Sequence, residues 1–177
     1  MKTPHLLAGS LLLAAGLFPA LALAQDKATA QIVDTSNKQI GTATFTEGPD
    51  GLLIDLEVQG LPPGEHGIHM HRVGTCDDYQ NGFKASGSHI NPDDRKHGLL
   101  NPDGPDAGDL PNLWAVEGTT HYQFYTPYAS LTGQGDRAKV LDDDGSALVI
   151  HMEADDQTTQ PIGGAGTRIA CGVIKGS

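Results

Sequence analysis

Apolar and polar positions alternate in short runs along most of the chain. Residues 28–33 and 40–45 set β-branched or aromatic side chains against polar ones in partial alternation, with Ser36-Asn37 between them. Gly48-Pro49-Asp50-Gly51 has the composition of a turn, and residues 52–59 alternate again. Gly60-Leu61-Pro62-Pro63-Gly64 interrupts the pattern before a further run at 67–73. Late strands are predicted at 139–141, 146–152 and 167–174, with Asp142-Asp143-Asp144-Gly145 as a turn. No stretch sustains a helical period between caps. The pattern predicts an all-β chain, a sandwich or barrel with Greek-key connections.

Two segments break the rhythm. Residues 74–112 are rich in Gly, Pro and Asp and carry Cys76, His89 and His97. Structureless stretches of this length are uncommon unless they serve a function or are constrained. A covalent tie and a metal ion are the expected sources of order here, in place of packing. A second irregular stretch, 153–166, separates His151 from Arg168. There is no internal repeat, linker or second domain.

The first residues change the compartment. Lys2 precedes an apolar run, Leu6 to Ala24, broken by Gly9, Gly16 and Pro19 and closing on Ala22-Leu23-Ala24. A positive start, an apolar centre and a small-x-small exit describe a signal peptide over residues 1–24. A membrane anchor is the alternative, disfavoured by the Gly and Pro interruptions. The expected mature domain is residues 25–177, soluble and periplasmic or extracellular. At about 153 residues it is long enough for one well-buried core. Eleven Lys and Arg stand against 22 Asp and Glu, a formal charge of −11, and loss of Lys2 takes it to −12. That balance excludes nucleic acid and anionic membranes as partners. Outside the cytoplasm, an isolated pair such as Cys76 and Cys171 is expected to close as a disulfide; catalytic or metal-binding thiols are the alternative, without a C-x-x-C to support them.

His69-Met70-His71 lies on a predicted strand. A period of two puts both imidazoles on one face and Met70 on the other, making half of a transition-metal site. His66, at odd spacing from both, is expected to be a structural, hydrogen-bonded histidine. His121 is expected at the surface, and Trp114 either in the core or at a dimer contact. The glycines at 163–166 lack the Lys-Ser/Thr and helix of a phosphate loop.

In combination these segments resemble the copper–zinc superoxide dismutase family of the exported bacterial type. Gly64-Glu65-His66-Gly67-Ile68-His69-Met70-His71 is similar to its metal-binding strand, and Gly87-Ser88-His89-Ile90-Asn91-Pro92 to the segment with its metal-bridging histidine. Lys96-His97-Gly98 and Gly108-Asp109-Leu110-Pro111-Asn112 resemble its zinc loop. Val149-Ile150-His151 with Ala154-Asp155-Asp156 resembles its last copper strand, and residues 163–174, including Arg168 and Cys171, its closing signature. The resemblance runs in order from about Ala28 to Ile174. It implies an eight-stranded Greek-key β-barrel or sandwich with long metal-binding loops. It implies copper on His69, His71, His89 and His151, and zinc on His89, His97 and Asp109. Asp155 would orient one copper and one zinc histidine, and Cys76–Cys171 would be the disulfide.

One position departs from the family. Where it carries a third zinc histidine, three residues before the zinc aspartate, this chain has Asp106. Two readings stay open: a carboxylate ligand, or a solvated loop aspartate beside a weak zinc site. The activity implied is dismutation of superoxide to dioxygen and hydrogen peroxide by alternate reduction and oxidation of copper. Arg168 would dock the anion, and His89 would take a proton on leaving copper. With −12 overall, local positive charge is needed to draw the substrate in, and Lys84, near His89 in sequence, is the candidate. Rival readings are a copper-only superoxide dismutase and a non-catalytic copper-binding protein. A homodimer is left open.

Overall fold

Alternation turns into buried and exposed faces along the first three strands: β1 (Lys27–Asp34), β2 (Gln39–Glu47) and β3 (Leu52–Gln59). Their inward positions, among them Ile32, Phe45, Ile54 and Val58, are essentially inaccessible to solvent. The structure, a computed structural model, describes residues 27–177. The expected leader, residues 1–24, lies outside the described residues. The remaining strands are β4 (Gly64–His66), β5 (Ile68–His71), β6 (Leu113–Ala115), β7 (Thr119–Thr126), β8 (Ala129–Ser130), β9 (Ala138–Lys139), β10 (Ser146–His151) and β11 (Arg168–Gly176).

Seven strands form one antiparallel sheet in the order β5-β10-β11-β1-β2-β3-β7. After β3 the chain crosses to the far side of the sheet for β5, then returns to place β7 beside β3. The two-stranded β4–β6 ribbon joins those margins, because β4 runs into β5 and β6 packs against β7. The sheet is thereby curled around the main core, in the Greek-key manner the pattern predicts. Among the described residues helix is confined to two single turns, Tyr79–Asn81 and Lys84–Ser86. None is long and apolar enough to cross a membrane.

Strand β7 was not among the predicted strands, although Thr120, Phe124 and Thr126 point inward and Thr119, His121, Gln123 and Tyr125 outward. Its register with β3, from Leu52↔Thr126 to Gln59↔Thr119, keeps that alternation facing the core. Trp114 is 56% exposed, so it is not a core residue.

The long segment 74–112 is better packed than its composition suggests. Strand β10 is buried on both faces: Leu148 and Ile150 enter the main core, while Ala147 and Val149 form a second cluster with Cys76, Phe83 and Cys171. Phe83, fully buried there, contributes about 1.5–3 kcal/mol by transfer from water. Ile90 and Leu110 reach the main core from the same segment. Expecting a tie and a metal to order this loop in place of packing therefore understated its apolar anchors.

Candidate metal centre

Strand β5 pairs on one side only. Its hydrogen-bonded neighbour is β10, with His69 opposite Val149 and His71 opposite Ala147. Along its other side lies the long loop, bridging His71 to His89 and His69 to Asp109. The Met70 amide donates to the Gly108 carbonyl at 2.9 Å, and the Ile90 amide donates to the Met70 carbonyl at 2.9 Å. Gly108 is required at this approach, since a Cβ there would lie 2.4 Å from the Met70 oxygen. Strand period then sends His69 and His71 to the loop-covered face, while Met70 is fully buried in the core. His151 ends β10 just past an irregularity in its register with β11, opposite Arg168. Such shifts re-aim side chains.

Each of the four imidazoles His69, His71, His89 and His151 has one nitrogen held by the protein. His69 Nε2 donates to Asp155 Oδ2 at 2.8 Å and His71 Nδ1 to the Gly87 carbonyl at 3.0 Å. His151 Nδ1 donates to the Gly166 carbonyl at 3.3 Å, and His89 Nδ1 to Asp106 Oδ2 at 3.0 Å. The opposite nitrogens are His69 Nδ1, His71 Nε2, His89 Nε2 and His151 Nε2. All four are buried without any hydrogen-bond partner, four of the six such side-chain atoms among the described residues. Neighbouring ring centroids lie 4.2–5.9 Å apart. An unsatisfied buried polar atom costs roughly 1–3 kcal/mol, so four together rival the stability of a small domain unless something binds them. His69, His71 and His151 bring ligand atoms within 4.8 Å of one another, with the His89 ring beside those of His69 and His71, and such a set of imidazole nitrogens suits copper. Burial pushes His69 down to about 4, His151 to about 3 and His71 well below its ordinary value, leaving neutral rings with free lone pairs.

A second group adjoins the first through His89. His97 Nδ1 is 2.6 Å from Asp109 Oδ1, and His89 Nδ1 is 3.3 Å from the same oxygen. His89, His97, Asp106 and Asp109 bring their ligand atoms within 4.8 Å of one another, all buried. Two imidazoles and carboxylate oxygens fit zinc. Burial works against charge on His97, but its bonds to Asp109 and Asp155 prevail and raise it to about 10. Asp109 moves down despite burial, through bonds from His89, His97 and the Gly98 amide. Burial raises Asp106, and the bonds to Asp106 and Asp109 raise His89 against its own burial. With two carboxylates facing His89, the proton belongs on the ring.

Asp155 links the groups. Its Oδ2 accepts from His69, and its Oδ1 accepts from His97 Nε2 at 3.1 Å and from the Gln157 amide at 2.6 Å. Its backbone is gripped by Asn112, whose amide donates to the Asp155 carbonyl and accepts from the Asp155 N–H, both at 2.9 Å. Gly163, at φ 60°, leaves room for this carboxylate; a Cβ would sit 1.6 Å from Oδ1. His66 is buried, with its ring nitrogens 2.8 Å from the carbonyls of His151 and Pro62.

Arg168 lies beside the imidazoles in a cavity of about 350 Å³ lined also by His71, His89, His97, Asp106 and Arg95, with Gln160, Pro161 and Ile162 facing them. The guanidinium donates from Nη1 to the Phe83 carbonyl at 2.7 Å and to Ser86 Oγ at 3.2 Å, and from Nη2 to the Gly87 carbonyl at 2.8 Å. Those acceptors belong to the loop that Cys76–Cys171 ties to β11. Lys84 is exposed and is not part of the cavity lining. Arg95 is, with its guanidinium donating to the Gly104 carbonyl. Sequence reasoning missed Arg95, Asn112 and Gln160; only Arg95, a cation two residues before His97, carried a signal that could have been used.

The family model for copper/zinc superoxide dismutase matches residues 39–174. Superoxide dismutase [Cu-Zn] of Caulobacter vibrioides is 48% identical over 150 residues, covering 84% of this chain and 85% of that protein. Superoxide dismutase [Cu-Zn] 2 of Aquifex aeolicus is 42% identical over 177 residues, 98% of this chain and 99% of that one. Among solved structures, Cu/Zn superoxide dismutase from Brucella abortus superimposes with a TM-score of 0.66 at 29% identity, over 84% of this chain and 99% of that one.

Proposed function

The chain belongs to the copper/zinc superoxide dismutase family, and on that premise we propose that its two histidine groups are the copper and zinc sites of an exported superoxide dismutase. The observation that carries this reading is the buried trio of His69, His71 and His151, with ligand atoms within 4.8 Å of one another, beside a fourth ring, His89, whose Nε2 is likewise without a partner. Bound at His69 Nδ1, His71 Nε2, His89 Nε2 and His151 Nε2, copper would supply the one-electron couple by which one superoxide gives dioxygen and another, taking two protons, gives hydrogen peroxide. Zinc would rest on Nδ1 of His89 and His97 and on Asp109.

The protein's part is positioning, charge and proton delivery. Asp155 fixes the rings of His69 and His97, holding each in the tautomer its metal needs. Of Arg168's five N–H donors, three are spent on Phe83, Ser86 and Gly87; Nε–H and one Nη2–H remain to receive a small anion. His89 lines the same cavity, and its Nε2, when it does not hold the metal, would take a proton from solvent and pass it to the departing peroxide. A copper store would need the ligands but no anion dock, so the fixed guanidinium favours catalysis. Export is supported by the leader-like residues 1–24 and by the Cys76–Cys171 bond, and fractionation with amino-terminal sequencing should find mature protein beginning near Gln25 outside the cytoplasm.

Protein loaded with copper and zinc should remove superoxide. His151→Ala should lose that activity while keeping its fold and disulfide, and full activity in this variant would defeat the copper assignment.

A further inference from the structure

Asp106 is where this chain leaves its family's pattern, and a solvated loop residue does not describe it: the side chain is only 3% exposed. Both carboxylates of the second group divide their oxygens in the same way. Asp106 Oδ1 accepts the Gly108 amide at 3.0 Å, while Oδ2 points at His89 Nδ1. Asp109 Oδ2 accepts the amides of Gly98 at 2.7 Å and Asp106 at 3.0 Å, while Oδ1 points at His97 and His89. One oxygen of each is thus fixed by backbone and the other is turned to a common point. The Asp109 amide also donates to the Asp106 carbonyl at 3.3 Å, a turn that brings the two side chains together.

Distances agree with a shared ion. Zinc with N and O ligands at about 2.0–2.1 Å in a tetrahedron spaces those atoms about 3.3 Å apart. The contacts here are 2.6, 3.0 and 3.3 Å, short of or equal to that edge and needing only a small expansion. Two buried carboxylates close together also require cationic compensation.

Taking His89, His97 and Asp109 as zinc ligands, as proposed above, we infer that Asp106 Oδ2 is the fourth, and that this second carboxylate biases the site toward zinc and against copper. Copper generally outcompetes zinc at N/O sites, and imidazole is a ligand it favours. Exchanging one imidazole for a carboxylate removes a nitrogen from the zinc side and leaves the four-imidazole side intact. Two carboxylates also balance the charge of a divalent ion with neutral rings as partners. The two neighbouring sites are thereby told apart by donor chemistry.

Competition titrations of the metal-free full-length protein against chromophoric chelators, with zinc and then with copper, test both halves. Asp106→Asn should lower zinc affinity by more than about 100-fold, beyond the ~10–100-fold that losing an outer-shell partner produces. Asp106→His should keep tight zinc but bind a second copper at least about tenfold more tightly relative to zinc than the native protein does, seen as a second Cu(II) signal in electron paramagnetic resonance. Zinc affinity within threefold of native in Asp106→Asn would remove Asp106 from the ligand set. An unchanged zinc-to-copper ratio in Asp106→His would overturn the selectivity. Asp109→Asn separates the premise from the inference: if it too leaves zinc binding intact, the zinc site itself has been misplaced.

Discussion

Arg168 works as an anion dock because its own loop has spent three of its donors. The carbonyls of Phe83 and Gly87 and Ser86 Oγ fix the plane of the guanidinium, so the remaining donors meet a substrate with little left to organise. Activity should therefore fall in the order Arg168, Lys, Ala, Glu, by about tenfold or more at Ala, with copper content unchanged. Equal rates in a steady-state superoxide assay would remove the residue from the reaction. His97 gives a second test. In the metal-free protein its pKa is raised to about 10, so it is protonated at neutral pH, and zinc must displace that proton. Calorimetric titration in buffers of different ionisation enthalpy should show proton release, and zinc affinity should climb as pH rises toward 10. The His97 contribution to metal-free stability runs the other way: present below the ordinary histidine range, lost as pH rises through about 10. At this scale the sequence was informative about residue type and poor about direction. H-x-H on a strand announced the paired imidazoles, yet which nitrogen each ring leaves free depends on Asp155, Gly87 and Gly166, which come from distant segments.

Strand β5 and the loop along its open side form the element on which both metal groups depend. The loop is held by two unlike devices, the cluster around Phe83 and the Cys76–Cys171 bond, whose partners stand 95 residues apart. A cross-link over that span contributes at most about 4–5 kcal/mol in the chain-entropy picture. Cys76→Ser with Cys171→Ser should lower the thermal midpoint and also depress activity in the surviving folded fraction, because the loop carries the acceptors that orient Arg168. Activity per folded, copper-loaded molecule equal to native would show that Phe83 alone positions the loop. Alternation made β1 to β3, β10 and β11 legible. Strand β7 is less legible, although its β-branched and aromatic residues alternate, because two of its three buried positions are threonines and offer little apolar contrast. The loop's apolar anchors were hidden because Phe83, Ile90 and Leu110 sit singly among Gly, Pro and Asp, with no period to reveal them. Lys84, the candidate for steering, is exposed and stands outside the cavity lining, a placement that its nearness to His89 in sequence does not reveal because it depends on which way a single helical turn faces.

Across the whole molecule, a chain of formal charge −11 concentrates guanidinium groups at one cavity, where Arg168 and Arg95 stand beside the imidazoles. The cavity's contents were legible as a family pattern, while its second cation, signalled in sequence only by standing two residues before His97, is brought to the site by the folded path of residues 91–104. The same path has a bearing on solubility. Residues 89–109 cap the unpaired side of β5 through the bridges at His71–His89 and His69–Asp109. Without bound metals and with Cys76–Cys171 reduced, that loop is left with its apolar anchors alone, Phe83, Ile90 and Leu110. What is uncovered is an all-apolar-or-imidazole strand whose free amides and carbonyls can template another chain. Light scattering and thioflavin fluorescence should then show intermolecular β-assembly of metal-free, reduced protein at concentrations where the loaded, oxidised protein stays clear. A lysine at Ile90, facing the apolar core from the cap, should speed that assembly by loosening it. The loop that completes the active centre is thus also the chain's guard against joining its own copies.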